Sequence, residues 1–137
     1  MKIRELHILN DVLEVYPSKI GKLYLYADLV ILEVQEGIHV THSKLKCIVT
    51  KINSFYGDQK IGFISNRINK YSIEAIEYPK FANSLPNIAI FTVCYYNMKA
   101  AYNLELEKRF LKTPIPSFTN LIDAYNYTRS YVLKKAN

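Results

Sequence analysis

The chain reads as an α/β protein: a mixed sheet of four to five strands that opens with an antiparallel hairpin and carries packed helices. Two observations predict this. Between Lys22 and Lys134 the hydrophobic segments run strand, strand, helix, strand, helix, strand, helix, helix, an alternation that builds parallel crossovers onto a sheet. Two of the strands, moreover, are nearly continuous apolar runs that end in polar residues, Ser65-Asn66-Arg67-Ile68-Asn69 and Tyr95-Tyr96-Asn97. Open α/β sheets hold their ligands at such strand ends.

The elements follow in order. Residues 1–21 form an N-terminal edge extension, in which Val12 to Tyr16 reads as a short strand stopped by Pro17 and Gly21. The domain proper spans residues 22–134. Leu23 to Tyr26 and Leu29 to Val34 are rich in β-branched and aromatic residues, with only Ala27-Asp28 between them. So short a link joins antiparallel neighbours, since a parallel crossover needs a dozen residues or more.

From Thr41 to Tyr56, Leu45, Ile48, Val49, Ile52 and Phe55 mark one helical face, with Thr41 or Ser43 to start the helix and Gly57 to stop it. Lys60 to Ser65 is the next strand, where Gly62 lets a helix come close. Ile73 to Ala82 has rough helical spacing, with Pro79 near a first turn or a break. Ile88 to Tyr95 is apolar on both alternating faces, as in a strand covered on both sides. Asn97 then caps a helix from Met98 to Phe110 with Met98, Ala101, Tyr102, Leu106 and Phe110 turned inward. Thr113 to Pro116 is extended, and Ser117 or Thr119 opens a last helix to about Leu133.

Composition narrows the function. The 137 residues match one domain. The longest apolar stretch, Ile88 to Tyr96, falls well short of the roughly 20 residues a spanning helix requires, and the charged N-terminus lacks the apolar core of a signal peptide. Net charge is +6, yet residues 1–70 carry 10 Lys and Arg against 7 Asp and Glu, and residues 71–137 carry 8 against 5, so each part is +3. With no basic stripe, nucleic acid is not an expected partner. Cys47 and Cys94 lie inside apolar patterns, as free core thiols of a cytoplasmic protein would.

Tyr26 to Ile31, Ile61 to Ser72 and Ala100 to Glu105 carry a resemblance, over about residues 22–132, to the STAS superfamily of anti-sigma-factor antagonists. The chain is similar in particular to a bacterial group of small STAS/SEC14-like proteins. The resemblance implies a regulatory domain that docks on a kinase or another protein regulator without catalysing a reaction, or, on the SEC14-like side, a module for a lipid or other hydrophobic ligand. It does not carry over the family's phosphorylation switch, because Ser72-Ile73-Glu74-Ala75 lacks the glycines that follow the regulated serine there. Ser72 is still a weak phosphosite candidate, since a phosphate at a helix start meets exposed N–H groups.

No phosphate-cradling loop, Cys-x-x-Cys or paired-histidine helix is present, so no cofactor and no metal is expected. His39 and His42 read as solvated or capping residues, and Cys94 as a core thiol. The candidate ligand site is the pair of strand ends. If those strands are parallel neighbours, Asn66, Arg67 and Asn69 stand beside Tyr95, Tyr96 and Asn97. Arg67 then offers a bidentate donor and the helix start at Asn97 its N–H groups, a combination suited to a small anion and open to a small enzyme's use. The competing reading pairs Arg67 with Glu74 or Glu77. Tyrosine is in excess, 12 residues without a tryptophan. Tyr125 and Tyr127 lie about 200° apart on a helix, so at least one is exposed, where it suits a homodimer or another protein partner.

Overall fold

A computed structural model describes residues 10–110 and 114–136. The sheet has six strands: β1 (Glu14–Pro17), β2 (Gly21–Leu25), β3 (Leu29–Val34), β5 (Ile61–Arg67), β7 (Ile88–Tyr95) and β8 (Ser117–Phe118), adjacent in that order. Pairing is antiparallel from β1 through β3 and parallel from β3 through β8. Two further short strands, β4 (His39–Val40) and β6 (Ser72–Ile73), pair with each other in parallel. The helices are α1 (Lys46–Tyr56), α2 (Tyr78–Ser84), α3 (Met98–Glu107) and α4 (Leu121–Ala136).

The mixed sheet and its opening hairpin are as expected, with β1 as the edge strand the N-terminal segment predicts. The sheet is larger than four to five strands because β8 joins it. Only two residues long, β8 leaves no alternation to read, and its segment looks like the approach to a helix. That helix starts later than Ser117 or Thr119, where Asn120 Oδ1 accepts the N–H groups of Ile122 (2.8 Å) and Asp123 (3.2 Å).

Strand alternation sorts the core into two layers. Leu23, Leu25, Val30, Leu32 and Phe63 face α1 and α2, with Ile48 and Ile52 of α1 buried against them. Tyr24, Leu29, Ile31, Ile64 and Cys94 face α4, where Leu121, Ala124 and Tyr125 cover them. Gly62 fits the expectation of close approach: a Cβ there would overlap Thr128 Cγ2 of α4. Thr128 completes the contact, its hydroxyl donating to Thr92 Oγ1 at 2.9 Å.

Three local expectations are corrected. In α1 the buried aromatic is Tyr56, whose hydroxyl donates to the carbonyls of Tyr26 (2.5 Å) and Leu29 (3.1 Å), while Phe55 is exposed. The segment from Ile73 to Ala82 is not one helix, since β6 and a single 3₁₀ turn (Ala75–Glu77) precede α2, with Pro79 in its first turn. On α3 the inward residues are Leu104 and Glu107, whereas Met98 and Tyr102 are 87% and 67% exposed and Leu106 also faces out, as does Phe110 in the 3₁₀ turn (Lys108–Phe110) that follows where one continuous helix was expected.

Candidate functional site

Strands β5 and β7 are parallel neighbours, with Asn66 opposite Cys94 and Arg67 opposite Tyr95. Their ends nevertheless do not form one polar mouth. The strand runs on through Asn66 and Arg67, so consecutive side chains leave on opposite faces. Asn66 turns toward α4 and is fully buried. Its Nδ2 donates to Glu33 Oε2 (2.9 Å), and its Oδ1 accepts the Tyr96 hydroxyl (2.6 Å). Asn69 donates to the Val34 carbonyl (3.0 Å). Asn97 caps α3 through the Ala100 N–H (2.8 Å), which occupies one of the donors expected to be free. Tyr95 packs beside Val93 and Leu104.

Arg67 turns to the other face, and its partner is neither Glu74 nor Glu77. Glu74 accepts from His39, and Glu77 accepts the His42 N–H, a bond that with nearby Lys80 holds its carboxyl below the ordinary range. The Arg67 guanidinium instead grips Glu107 of α3 in a two-pronged ion pair at 2.5 and 2.7 Å, with both side chains buried. The Tyr78 hydroxyl donates to the same carboxylate. Arg67 Nε donates to Ser65 Oγ (3.1 Å), which in turn shares a hydrogen bond with the Tyr71 hydroxyl (3.0 Å). Burial alone would lower the Arg67 pKa, but Tyr71 and Glu107 more than reverse that and hold it above its ordinary value. Burial likewise pushes the Tyr71 and Tyr78 phenols up, against the opposing pull of Arg67.

Ser65, Tyr71 and Tyr78 of this network form one wall of a cavity of ≈ 520 Å³ between the sheet and the α1–α2 layer, with Arg67 and Glu107 behind it. The remaining walls are mostly apolar, among them Leu32, Ile48, Phe63, Ile73, Phe81 and Phe91; Ser65, Tyr71 and Tyr78 bring the hydroxyls on this wall. The cavity reaches past Ile88, Ala89 and Ile90 to Tyr127 and Tyr131 of α4. It does so because β8 pairs only with Val93 and Cys94, leaving the first half of β7, which pairs with β5 on its other side, with no strand on that edge among the described residues. Its volume lies inside the roughly 300–1,000 Å³ typical of small-molecule pockets. Sequence pattern identified many of these residues as apolar, but not the space they leave.

Ser72 lies in exposed β6 rather than at a helix start. Its Oγ meets His39 Nδ1 at 2.6 Å, and His39 Nε2 meets Glu74 Oε2 at 3.0 Å. A phosphate there would meet a carboxylate as well as an imidazole, and no row of helix N–H groups. The backbone N–H groups of Ser72 and Glu74 are taken by the carbonyls of Ile38 and Val40. His42 bonds Ser84 (2.7 Å) and stacks on Phe81. Cys94 is buried as expected, its thiol pushed up by burial, but Cys47 is exposed on α1. Among the described residues no group of three or more His, Cys, Asp or Glu side chains could hold a metal ion, and no helix is long and apolar enough to cross a membrane.

None of the family models, curated proteins or solved structures compared with the chain matches it.

Proposed function

We propose that the chain is a non-enzymatic binding domain for a small hydrophobic ligand, held in the cavity between the sheet and α1–α2. The observation that carries this reading is the combination of ≈ 520 Å³ of space, apolar lining on most sides and three phenol or hydroxyl groups gathered on one wall. Ligand pockets have this composition, with apolar area supplying affinity and a few placed polar groups fixing orientation. A ligand seated there would cover apolar lining that solvent otherwise wets, which is favourable in proportion to the area removed from water.

The test is saturable uptake of an uncharged apolar fluorophore, N-phenylnaphthylamine, by the purified protein. Binding at one molecule per chain, lost when Val49 at the cavity wall is replaced by Trp, supports the reading. Absence of saturable binding, or binding indifferent to Val49→Trp in a folded variant, refutes it.

A second reading, a STAS-type cytoplasmic regulator that docks on a kinase or another protein, is supported by the outward apolar side chains of α3, Met98 and Tyr102 above all. Exposed aromatic and methionine side chains are enriched where proteins meet. Copurification of a single partner from the native host, lost on Met98→Ser with Tyr102→Ser, is its expected signature. Retention of that partner by the double variant argues against α3 as the docking face.

A further inference from the structure

The polar wall of the cavity restricts what the ligand can carry. Arg67 is the one cation in the wall's hydrogen-bonded network, and its charge is already answered by the buried carboxylate of Glu107, which binds both terminal nitrogens. A ligand carboxylate or phosphate placed at this wall would therefore find no free positive charge: neither Arg67 nor Glu107 lines the cavity, and behind the wall each already answers the other. Buried charges need their own partner. An anion has none here.

The hydroxyl count points to what fits instead. Ser65 and Tyr71 both line the cavity and share one hydrogen bond between them. Each hydroxyl carries one proton and can accept at two lone pairs. One of the two protons is used in the shared bond, and Arg67 Nε supplies a donor to Ser65 without consuming the other. Whichever oxygen donates within the pair, one O–H is left over at the cavity wall. Tyr78 does not add a second, because its proton goes to Glu107. This wall thus offers a single neutral donor, apart from the Tyr127 and Tyr131 phenols at the α4 end of the cavity.

We infer that the cavity selects uncharged lipids that place one neutral oxygen function at the Ser65–Tyr71 wall, such as a long-chain alcohol, ketone or ester, and that Glu107 is the residue that excludes fatty-acid anions by neutralising Arg67. This rests on the hydrophobic-ligand reading and names its ligand class. Glu107 acts as a specificity residue from behind the wall, without lining the chamber itself.

The experiment displaces bound N-phenylnaphthylamine with four ten-carbon competitors at pH 8: decanol, methyl octyl ketone, decane and decanoate. In the unaltered protein decanol and the ketone are expected to displace the probe at concentrations about tenfold or more below decanoate, and about fivefold below decane, as one net hydrogen bond allows. Glu107→Gln leaves the Arg67 charge unanswered one hydrogen bond behind Ser65, where it would attract an anion placed at the wall. It should narrow the decanol-to-decanoate ratio about tenfold or invert it, a change in ratio that cancels the solution properties of the competitors. Ser65→Ala with Tyr71→Phe removes both hydroxyls and should erase the advantage of decanol and ketone over decane. This second variant decides the matter if Glu107→Gln does not fold. Decanoate matching decanol in the unaltered protein, a ratio unmoved by Glu107→Gln, or an alcohol preference that survives loss of both hydroxyls overturns the inference. A probe that never binds the unaltered protein fails the hydrophobic-ligand reading itself.

Discussion

Replacing Arg67 with Met keeps much of the side-chain volume and removes the only cation that the Glu107 carboxylate touches among the described residues. Glu107 would keep the Tyr78 hydroxyl but lose bonds of 2.5 and 2.7 Å. Leaving one member of a buried pair alone costs about 3–5 kcal/mol, a large share of the roughly 5–15 kcal/mol that holds a domain folded. At about 2.1 cal/mol/K of unfolding entropy per residue, a chain of 137 residues would lose about 10–17 °C in Tm. Removing both charges is a different perturbation. Arg67→Met with Glu107→Leu fills the same space with apolar atoms, and such replacements are often neutral or stabilising, so the double variant should recover at least half of the single variant's loss. Urea unfolding followed by circular dichroism, run as a double-mutant cycle, reads all four proteins. A single variant that loses less than about 1 kcal/mol would show that this ion pair is not the isolated, water-poor contact its burial implies. Strict additivity in the cycle would contradict the direct coupling.

Other outcomes follow from the same contacts. Gly62→Ala should destabilise by about 1–3 kcal/mol, the usual cost of overpacking, because its methyl meets Thr128 on α4; an unchanged urea midpoint would mean the helix has room to retreat. Tyr26, Tyr56, Tyr78 and Tyr96 are all held above the ordinary phenol value of 10.0, with burial the largest cause in each. The unfolded chain releases these protons near pH 10 and the folded chain keeps them, so stability is fully present below pH 10 and falls as pH rises above it, by about 1.4 kcal/mol per unit for each such tyrosine. Absorbance at alkaline pH should show phenolate from these residues appearing together with unfolding, and smooth titration of every tyrosine in a still-folded protein would contradict it. With an aromatic disulfide reagent, Cys47 should react at once and Cys94 only on unfolding; equal rates would refute the burial of Cys94.

The layered sheet was readable because its signals are local. Leu29 to Val34 and Ile88 to Tyr95 are long enough to betray their class, and Ala27-Asp28 is too short to connect anything but antiparallel neighbours. Features that depend on distant partners were not readable in the same way. Strands β6 and β8 are two residues each and exist only through their neighbours. The strand ends were correctly placed side by side, but β5 continues through Arg67, and that continuation sends Asn66 and Arg67 to opposite faces. The inward face of α3 was misassigned because Met98, Tyr102, Leu106 and Phe110 form a coherent apolar stripe that turns outward. Glu107 was missed, although a signal for it existed. An arginine inside an apolar strand needs a carboxylate, and Glu107 lies one helical turn from Leu104, on the same side of α3. Nothing in a linear pattern reports a cavity, since a lining residue and a packed one look the same in sequence.

Methyl-resolved NMR of the protein titrated with decanol tests the ligand site most directly. The account predicts saturable shifts for the methyl groups of Ile48, Ile73 and Ile88, which line the cavity, while those of Ile31 and Ile64 on the α4 face of the sheet stay in place. Shifts confined to Met98, Leu106 and the outer face of α3, or none at saturating decanol, would contradict it.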